Sequence, residues 1–349
     1  MAASWCKAAA FVLVATPAFA QQARPSLFAI DTVAAVDQSV DENGNVVTGV
    51  VLDAVASADM GRGFQAIVRP FAQRLPSREW NRQVWVAQVR YERAGAVGIR
   101  VDAGLIPSPI GLANLSLRPH LIPTISQPSS LFTGLPQIEQ RAPRMTLMGA
   151  TYPYGGQVTV SALHWDARAA VIDTSPLRPR RIFARTNPPR FAQLVAGGGI
   201  TPVVGLRIGA SVARGGWQRA GETPLALADR DATLATVESE FSVRYTKVAG
   251  EWVRNSLETA TGTAIVTGWF VHGQQTLAPR WFVGGRVERM SVPVPLGGRL
   301  DLTGTEEVVG YRLTPEITVR AGHRARRPFG RPGFDHQAAV SIVWWRRWI

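Results

Sequence analysis

The stretch VVGLRIGASVARGG, residues 203 to 216, alternates between two kinds of side chain. Every even position from Val204 to Val212 is apolar, and every odd position from Gly205 to Ala213 is small or polar, including Arg207. A period of two predicts a strand whose two faces meet unlike environments. The apolar face meets either a soluble core or lipid, and in a membrane barrel Arg207 would point into the lumen.

The first twenty residues have the organisation of a secretory signal peptide. Lys7 forms a short basic region, residues 8–14 are apolar, and Ala18-Phe19-Ala20 provides a small-x-small cleavage site. The segment is too short for a spanning helix, and the alternative is an uncleaved anchor. We therefore expect residues 1–20 to be removed on export and residues 21–349 to form the mature domain.

Cysteine use and hydropathy narrow the class of exported protein. Cys6 is the one cysteine and lies in the predicted signal peptide, so the mature chain has no disulfide. No later segment has eighteen consecutive apolar residues, so the sequence predicts no transmembrane helix. These properties suit a periplasmic protein or an outer-membrane barrel.

The chain is strongly basic, with a net charge of +13, and only Lys7 and Lys247 are lysines among its 38 basic residues. A GC-rich genome explains arginine in place of lysine, but not the excess of positive charge. Export argues against nucleic acid as a partner. Small anionic solutes and lipopolysaccharide phosphates are the partners that an exported, arginine-rich surface predicts.

Residues 82–105 read as a hairpin. Trp85, Ala87, Val89 and Tyr91 share one face of the first strand, and Gln88, Arg90 and Glu92 share the other. After a turn at Ala94-Gly95 the alternation resumes. One apolar and one charged face is the pattern of a transmembrane β-hairpin.

The hairpin pattern recurs along the chain. We count sixteen strands, within a range of fourteen to eighteen, including strands at 143–153 and 157–166 joined at residues 153–156. Another turn is placed near residues 247–250. Most turns are short, whereas the connections at 106–142 and 166–190 are long. This asymmetry predicts an all-β, transmembrane antiparallel barrel with short periplasmic turns and long extracellular loops.

The tyrosines support the same interpretation. All five lie within a few residues of a predicted short turn: Tyr91, Tyr152, Tyr154, Tyr245 and Tyr311. Aromatic rings collected at one level indicate an interfacial girdle. The alternative is the ordinary preference of strands for aromatic residues.

Arginine on a lipid face near the membrane midplane costs about 2–4 kcal/mol, so the polar parity should face the lumen. The predicted pore-lining residues are Arg90, Arg100, Arg207, Arg244, Arg286, Arg320 and Arg324. Acidic neighbours such as Glu92 and Asp102 offer the alternative of neutralisation across strands. Arg320 and Arg324 have fewer local acids, and with Arg207 and Arg286 they are the predicted source of positive lumen charge.

The 106–142 segment contains six prolines and many leucines and isoleucines. Loops of this length are uncommon unless functional or disordered, and the apolar content argues against disorder. We expect it to fold into the barrel and set the bore, with Arg118, His120, Glu139 and Arg141 as its polar residues. The alternative is a loop packed over the mouth or against a neighbouring subunit.

The 166–190 segment is rich in arginine. The predicted anion-funnel residues are Arg178, Arg180, Arg181 and Arg185. An electrostatic funnel for anions and a clamp on lipopolysaccharide phosphates are both consistent with this composition, as is a solvated basic loop.

Enzymatic chemistry finds little support. The sequence VHGQQ at 271–275 has no serine beside its histidine, and the other histidines stand alone. Five scattered histidines without a mature cysteine do not form a zinc pattern. AGGG at 196–199 precedes a strand turn, so it is not a phosphate-binding loop. We expect no enzyme activity, no cofactor and no metal.

Three phrases resemble a known group. VDAGLIPSPIGL (101–112), VESEFSVRYTKVAGEWV (237–253) and TGWFVHGQQTLAPRWFVGGRVERM (267–290) are similar to segments of outer-membrane porins of the phosphate-selective type, known as porin O/P. The resemblance implies a sixteen-stranded, usually trimeric barrel that passes anions.

The sequence thus predicts an outer-membrane porin for passive diffusion of small hydrophilic solutes, with anion preference. A plugged or closed barrel with a structural, adhesive or lipid-binding role is the second hypothesis. A soluble periplasmic β-protein is the third.

Overall fold

A computed structural model describes residues 27–74, 79–111, 117–139, 141–149, 152–178, 190–295 and 297–348. The predicted signal peptide, residues 1–20, lies outside the described residues. Within the described ranges, no helix is long and apolar enough to cross a membrane.

Sixteen strands and one short helix make up the regular structure. The strands are β1 (Phe28–Asp41), β2 (Val46–Gly61), β3 (Phe64–Arg74), β4 (Trp80–Arg93), β5 (Gly98–Leu105), β6 (Tyr154–Ser161), β7 (Trp165–Ile172), β8 (Gln193–Val203), β9 (Leu206–Gln218), β10 (Arg230–Val243), β11 (Thr246–Thr259), β12 (Gly262–Thr276), β13 (Trp281–Pro293), β14 (Arg299–Arg312), β15 (Ile317–Arg327) and β16 (Asp335–Trp348); the helix is α1 (Ser129–Phe132).

The strands form one closed antiparallel barrel. Each strand pairs with its neighbours in sequence, and β1 pairs with β16 from Ile30↔Trp348 to Asp41↔Gln337. Closure satisfies the backbone of every strand without leaving an open edge, which is the condition for a sheet to span lipid. The predicted fold class and strand number are confirmed.

The two ends of the barrel differ as predicted. At one end the connections are short, as at 204–205, 244–245 and 313–316. At the other end they include the long connections 106–153 and 173–192. We call these the short-turn end and the long-loop end. In outer-membrane barrels the short turns are periplasmic and the long loops extracellular.

The predicted strand at 143–153 is wrong. β6 begins only at Tyr154, and the β6–β7 turn lies at 162–164 rather than at 153–156. Met145, Leu147 and Met148 are buried against other apolar side chains inside the barrel. Their apolar pattern reflects packing of a loop and not a sheet. The first long connection is therefore longer than predicted, and the second is shorter.

A register shift in the β3–β4 pair corrects the predicted orientation of Trp85. Arg69 pairs with Val86 whereas Pro70 pairs with Val84, so Trp85 is the extra residue of a bulge. A bulge reorients the side chains that follow it, and it accommodates a proline within a sheet. Trp85 is buried inside the barrel, stacked on Phe71 with ring centroids 3.6 Å apart.

The outer face is an apolar belt with aromatic residues at its short-turn end. Tyr245 and Trp281 are exposed there, and Tyr311 contacts the Trp281 ring. Two tyrosines depart from the predicted girdle. Tyr152 is buried in the long connection, and Tyr154 begins β6 at the long-loop end.

Candidate functional site

The connection 106–153 folds into the barrel, and we call its described residues the inner loop. Its apolar side chains form one buried cluster with inward-facing residues of β10–β14. The loop members include Ile106, Ile110, Leu131, Leu147 and Met148, and the wall members include Leu234, Val253, Phe270, Met290 and Leu302. Apolar area is removed from water on both surfaces, which stabilises the docked loop. The described residues of this segment, which was expected to fold into the barrel, pack against the inward-facing side chains of these strands.

Three buried charged residues of the wall hold the loop beside α1. Glu306 accepts hydrogen bonds from the backbone N–H groups of Ile125 (2.8 Å) and Ser126 (2.9 Å). Glu288 accepts from both the N–H and the hydroxyl of Ser129, each at 2.7 Å. Arg286 forms ion pairs with both carboxylates and donates to the carbonyl oxygen of Ser126 at 2.6 Å.

Arg320 is a second anchor of the loop. Its guanidinium donates to the carbonyl oxygens of Pro119 (3.2 Å), Ile122 (3.2 Å) and Thr124 (2.8 Å), and to the hydroxyl of Ser341. Its side chain is almost completely buried. Arg320 therefore binds the loop backbone. The prediction that it presents a free positive charge to the lumen is wrong.

The loop is also tied to β1 and β2, which lie beyond β16 in the closed barrel. Arg118 forms ion pairs with Asp31 of β1 (3.0 Å) and Asp53 of β2 (3.4 Å). Asp53 is shared with Arg69 of β3, whose guanidinium lies 4.9 Å from the Trp85 ring centroid. These contacts extend the anchored part of the loop along the wall, from β13–β15 past β16 to β1 and β2.

Two further predicted loop residues are placed at its other end. Glu139 forms a buried ion pair with Arg230 of β10, with an N–O distance of 2.6 Å. Arg141 is exposed and adopts a positive φ of 61°. Glu139 therefore anchors the loop, whereas Arg141 faces solvent.

His120 lies where the loop meets β16. Its ring stacks on Trp345 with centroids 5.4 Å apart. Burial, together with the nearby Arg118 guanidinium, lowers the pKa of His120 to about 4. The neutral imidazole is therefore the form that the docked loop accommodates.

Most predicted pore-lining arginines are paired with acids. Arg90 and Arg100 both form ion pairs with Asp102, at 2.7 and 3.1 Å. Arg207 binds Asp166 through two nitrogens at 2.9 Å and Glu238 at 2.8 Å. Arg286 is paired as described above. These arginines are therefore neutralised by acidic residues, which was the alternative considered for them. Arg207 and Arg286 are not free positive charges.

Arg244 is not on the wall. The β10–β11 turn lies at Arg244-Tyr245 and not near 247–250, so Arg244 is exposed at the short-turn end with φ 52°. The lumen position was predicted from the alternation of side chains along the strand, but β10 ends one residue before Arg244, at Val243.

Arg324 differs from the other predicted arginines. One of its nitrogens donates to the side-chain oxygen of Gln337 at 2.6 Å, and Gln337 in turn donates to Ser39. Within the described residues, neither Arg324 nor Arg326 forms an ion pair. Both line a cavity of about 420 Å³ that is bounded by the inner loop, β1–β4 and β15, and we call it the upper cavity.

The predicted anion funnel is placed only in part. Arg178 binds the carboxylate of Glu222 through two nitrogens, at 2.6 and 2.7 Å, so its charge is neutralised. Arg180, Arg181 and Arg185 lie outside the described residues. Arg168 falls within the segment 166–190 that was predicted as a loop, but it belongs to β7 and pairs with Glu238 inside the barrel.

Several anchoring residues were not predicted as site residues. The predicted site residues do not include Glu288, Glu306, Asp53 or Arg69. Each is a charged residue at an inward-facing position of a strand, which the alternation of the sequence could indicate. Its partner could not be predicted, because the two residues lie far apart in sequence. In the parts of the chain that are described, no group of three or more histidine, cysteine or acidic residues could hold a metal ion.

Comparison with known proteins places the fold in a class. No family model and no curated protein matches the chain. Among solved structures, OmpF of Salmonella typhi in complex with daunomycin has a TM-score of 0.62 at 10% identity, covering 91% of this chain and 97% of that chain. OmpT of Vibrio cholerae in its trimer form has a TM-score of 0.58 at 9% identity, covering 91% and 99%.

An anion-selective porin from Comamonas acidovorans has a TM-score of 0.57 at 8% identity, covering 91% of this chain and 98% of that chain. At such identities the likeness establishes the fold. The chain has the sixteen-strand barrel architecture of outer-membrane porins.

Proposed function

We propose that the chain is an outer-membrane channel for passive diffusion of small hydrophilic solutes. The observation that carries the proposal is the inner loop, which is fixed inside a closed barrel yet leaves the upper cavity beside it. A loop held by Glu306, Arg320 and Arg118 narrows a lumen while keeping a defined wall. Rigid, polar constrictions of this kind are how barrels restrict solutes.

The proposed selectivity is for anions. Arg90, Arg207 and Arg286 are held in ion pairs, and Arg320 is bound by loop carbonyl oxygens. Arg324 and Arg326 form no ion pair among the described residues and line the cavity beside the loop. Unpaired charge of one sign beside a narrow path raises the local concentration of counter-ions. Phosphate is included among these anions because of the sequence resemblance to phosphate-selective porins.

A plugged barrel is the second candidate, and the reach of the loop favours it. The inner loop contacts β1 and β2 through Arg118, β10 through Glu139, and β13–β15 through residues 119–129. A loop bound to so many strands would close the lumen if no continuous path passes it. The barrel would then have a structural, adhesive or lipid-binding role.

Swelling of liposomes that contain the purified mature protein separates the two candidates. If the protein is a channel, the vesicles swell in arabinose, and the swelling rate falls as larger sugars are used. A folded barrel that gives no swelling with any sugar would contradict the channel and leave the plugged barrel. Heat-dependent migration on a gel, in the same preparation, verifies that the barrel is folded.

We also propose a homotrimer in the outer membrane, in contact with lipid and lipopolysaccharide. A groove of about 720 Å³ crosses the outer face of β16 and β1–β4. It is lined by small and apolar residues such as Ala34, Ala54 and Pro70, which allow close approach of a second barrel. Sedimentation of the detergent-solubilised protein tests this assembly, and a monomeric mass would contradict it.

A further inference from the structure

We propose that the upper cavity binds small organic anions that carry a flat apolar group, and that these are preferred solutes of the channel. The inference rests on the proposed function for its transport consequence, but binding can be measured without it. The cavity of about 420 Å³ is within the range of about 300–1,000 Å³ typical of small-molecule sites.

The charge of the cavity favours an anion. Arg324 and Arg326 both line it, and Gln337 orients the Arg324 guanidinium through the 2.6 Å hydrogen bond. In the described part of the chain, Asp37 is the one acidic residue that lines the cavity, so the two arginines outnumber the acidic groups there. Two guanidinium groups at one site can bind a carboxylate with charge-assisted hydrogen bonds.

The opposite wall of the cavity is aromatic. Phe71 and Trp85 form a stacked pair, and Trp85 also stacks on Tyr152 with centroids 4.7 Å apart. Phe132 of α1 faces the cavity and is 38% exposed although it lies inside the barrel. Water against an exposed phenyl ring is displaced favourably by a flat apolar group.

The two walls together select against simpler ions. Inorganic phosphate or acetate can contact Arg324 and Arg326, but neither covers Phe132. An aromatic cation covers Phe132 but meets two positive charges. Benzoate can contact both the arginines and the aromatic rings. The cavity should therefore bind benzoate in preference to phosphate, acetate and an aromatic cation.

Isothermal titration of the folded, detergent-solubilised protein tests the inference. We compare benzoate, acetate, inorganic phosphate and benzylammonium at the same pH and ionic strength. Benzoate should bind at least about tenfold more tightly than the other three. Equal affinity for benzoate and acetate would overturn the apolar half of the proposal, and equal affinity for benzoate and benzylammonium would overturn the anionic half.

Three variants locate the site. The double substitution R324Q/R326Q should weaken benzoate binding by about tenfold or more, and F132A should weaken benzoate without changing acetate. R244Q, which removes an exposed arginine at the short-turn end, should leave both affinities unchanged. Undiminished benzoate binding in R324Q/R326Q would place the anion elsewhere and contradict the proposal.

Single-channel recording separates the failure of this inference from failure of the proposed function. In a conducting channel, millimolar benzoate on the long-loop side should interrupt the current more often than acetate does. A channel that conducts without such interruptions, and shows no benzoate binding, contradicts the site while the porin stands. A barrel that binds benzoate but does not conduct retains the site and contradicts the channel.

Discussion

The carboxylate of Glu306 on β14 accepts a hydrogen bond from the backbone N–H of Ser126 at 2.9 Å, across 180 residues of sequence. This contact joins the barrel wall to the middle of the inner loop. Because Glu306 also pairs with Arg286, its charge is compensated in a place where neither residue reaches water. The loop is thus a fixed part of the wall, and its position determines the space that remains in the lumen.

Removing this anchor should loosen the loop. We expect Glu306→Ala to increase both the single-channel conductance and its noise, because two loop N–H groups and Arg286 lose their acceptor. Breaking a buried ion pair on one side costs about 3–5 kcal/mol. Glu240→Ala is the matched control, since Glu240 is half-exposed and forms an ion pair with Lys247 at 3.4 Å near the end of its strand. Equal traces for the two variants would show that Glu306 does not hold the loop.

A glycine of β13 should act on the same loop by steric means. A Cβ on Gly284 would lie 2.4 Å from the carbonyl oxygen of Pro123, so Gly284→Ala must displace the loop backbone. We expect a changed conductance and faster cleavage of the loop by added protease. Gly49→Ala is the control, because no atom lies within 4 Å of its added Cβ. Wild-type behaviour of both variants would mean that the loop is not packed against β13.

Acid should destabilise the docked loop through His120. The folded pKa of about 4 lies below the usual value of about 6.5, so the docked state excludes the proton. The contribution of neutral His120 to the stability of the docked loop is complete above pH 6.5 and is lost as the pH falls towards 4. Current noise recorded between pH 7 and pH 4 should therefore rise in the wild type and much less in His120→Phe, which keeps a ring against Trp345. A similar rise in both would assign the acid response to other groups.

Charge-balanced substitution should show which arginines set selectivity. The double substitution R207Q/D166N removes one ion pair whole, and Glu238 keeps Arg168 as its partner. We expect its reversal potential in a salt gradient to equal that of the wild type. R326Q removes a cation that has no acidic partner among the described residues, and its preference for chloride should fall. If R207Q/D166N lowers the preference for chloride and R326Q does not, the charge that sets selectivity is Arg207 on β9.

The sequence predicted the barrel better than its interior. Alternation in segments such as 203–216 is a local property, so strand number, closure and the asymmetry of the two ends could be predicted. Met145, Leu147 and Met148 have the same apolar character whether they face lipid or another side chain inside the barrel. For that reason the strand at 143–153 was predicted where a buried loop segment lies.

Charge pairing could not be read from local sequence. Arg207 finds Asp166 and Glu238 on the strands β7 and β10, 41 and 31 residues away. Arg320 finds carbonyl oxygens of a loop about 200 residues earlier, at Pro119 and Ile122. Parity gave the inward direction of these side chains, whereas their partners depend on closure of the barrel and on the path of the loop.

The most direct test of the account is the reversal potential of single channels of the mature protein in a planar bilayer under a KCl gradient. The account predicts steady conductance with a reversal potential on the chloride side, shifted towards zero by R324Q/R326Q. Absence of conductance from a barrel that is verified as folded would contradict the channel. A reversal potential on the potassium side would contradict the anion path past Arg324 and Arg326.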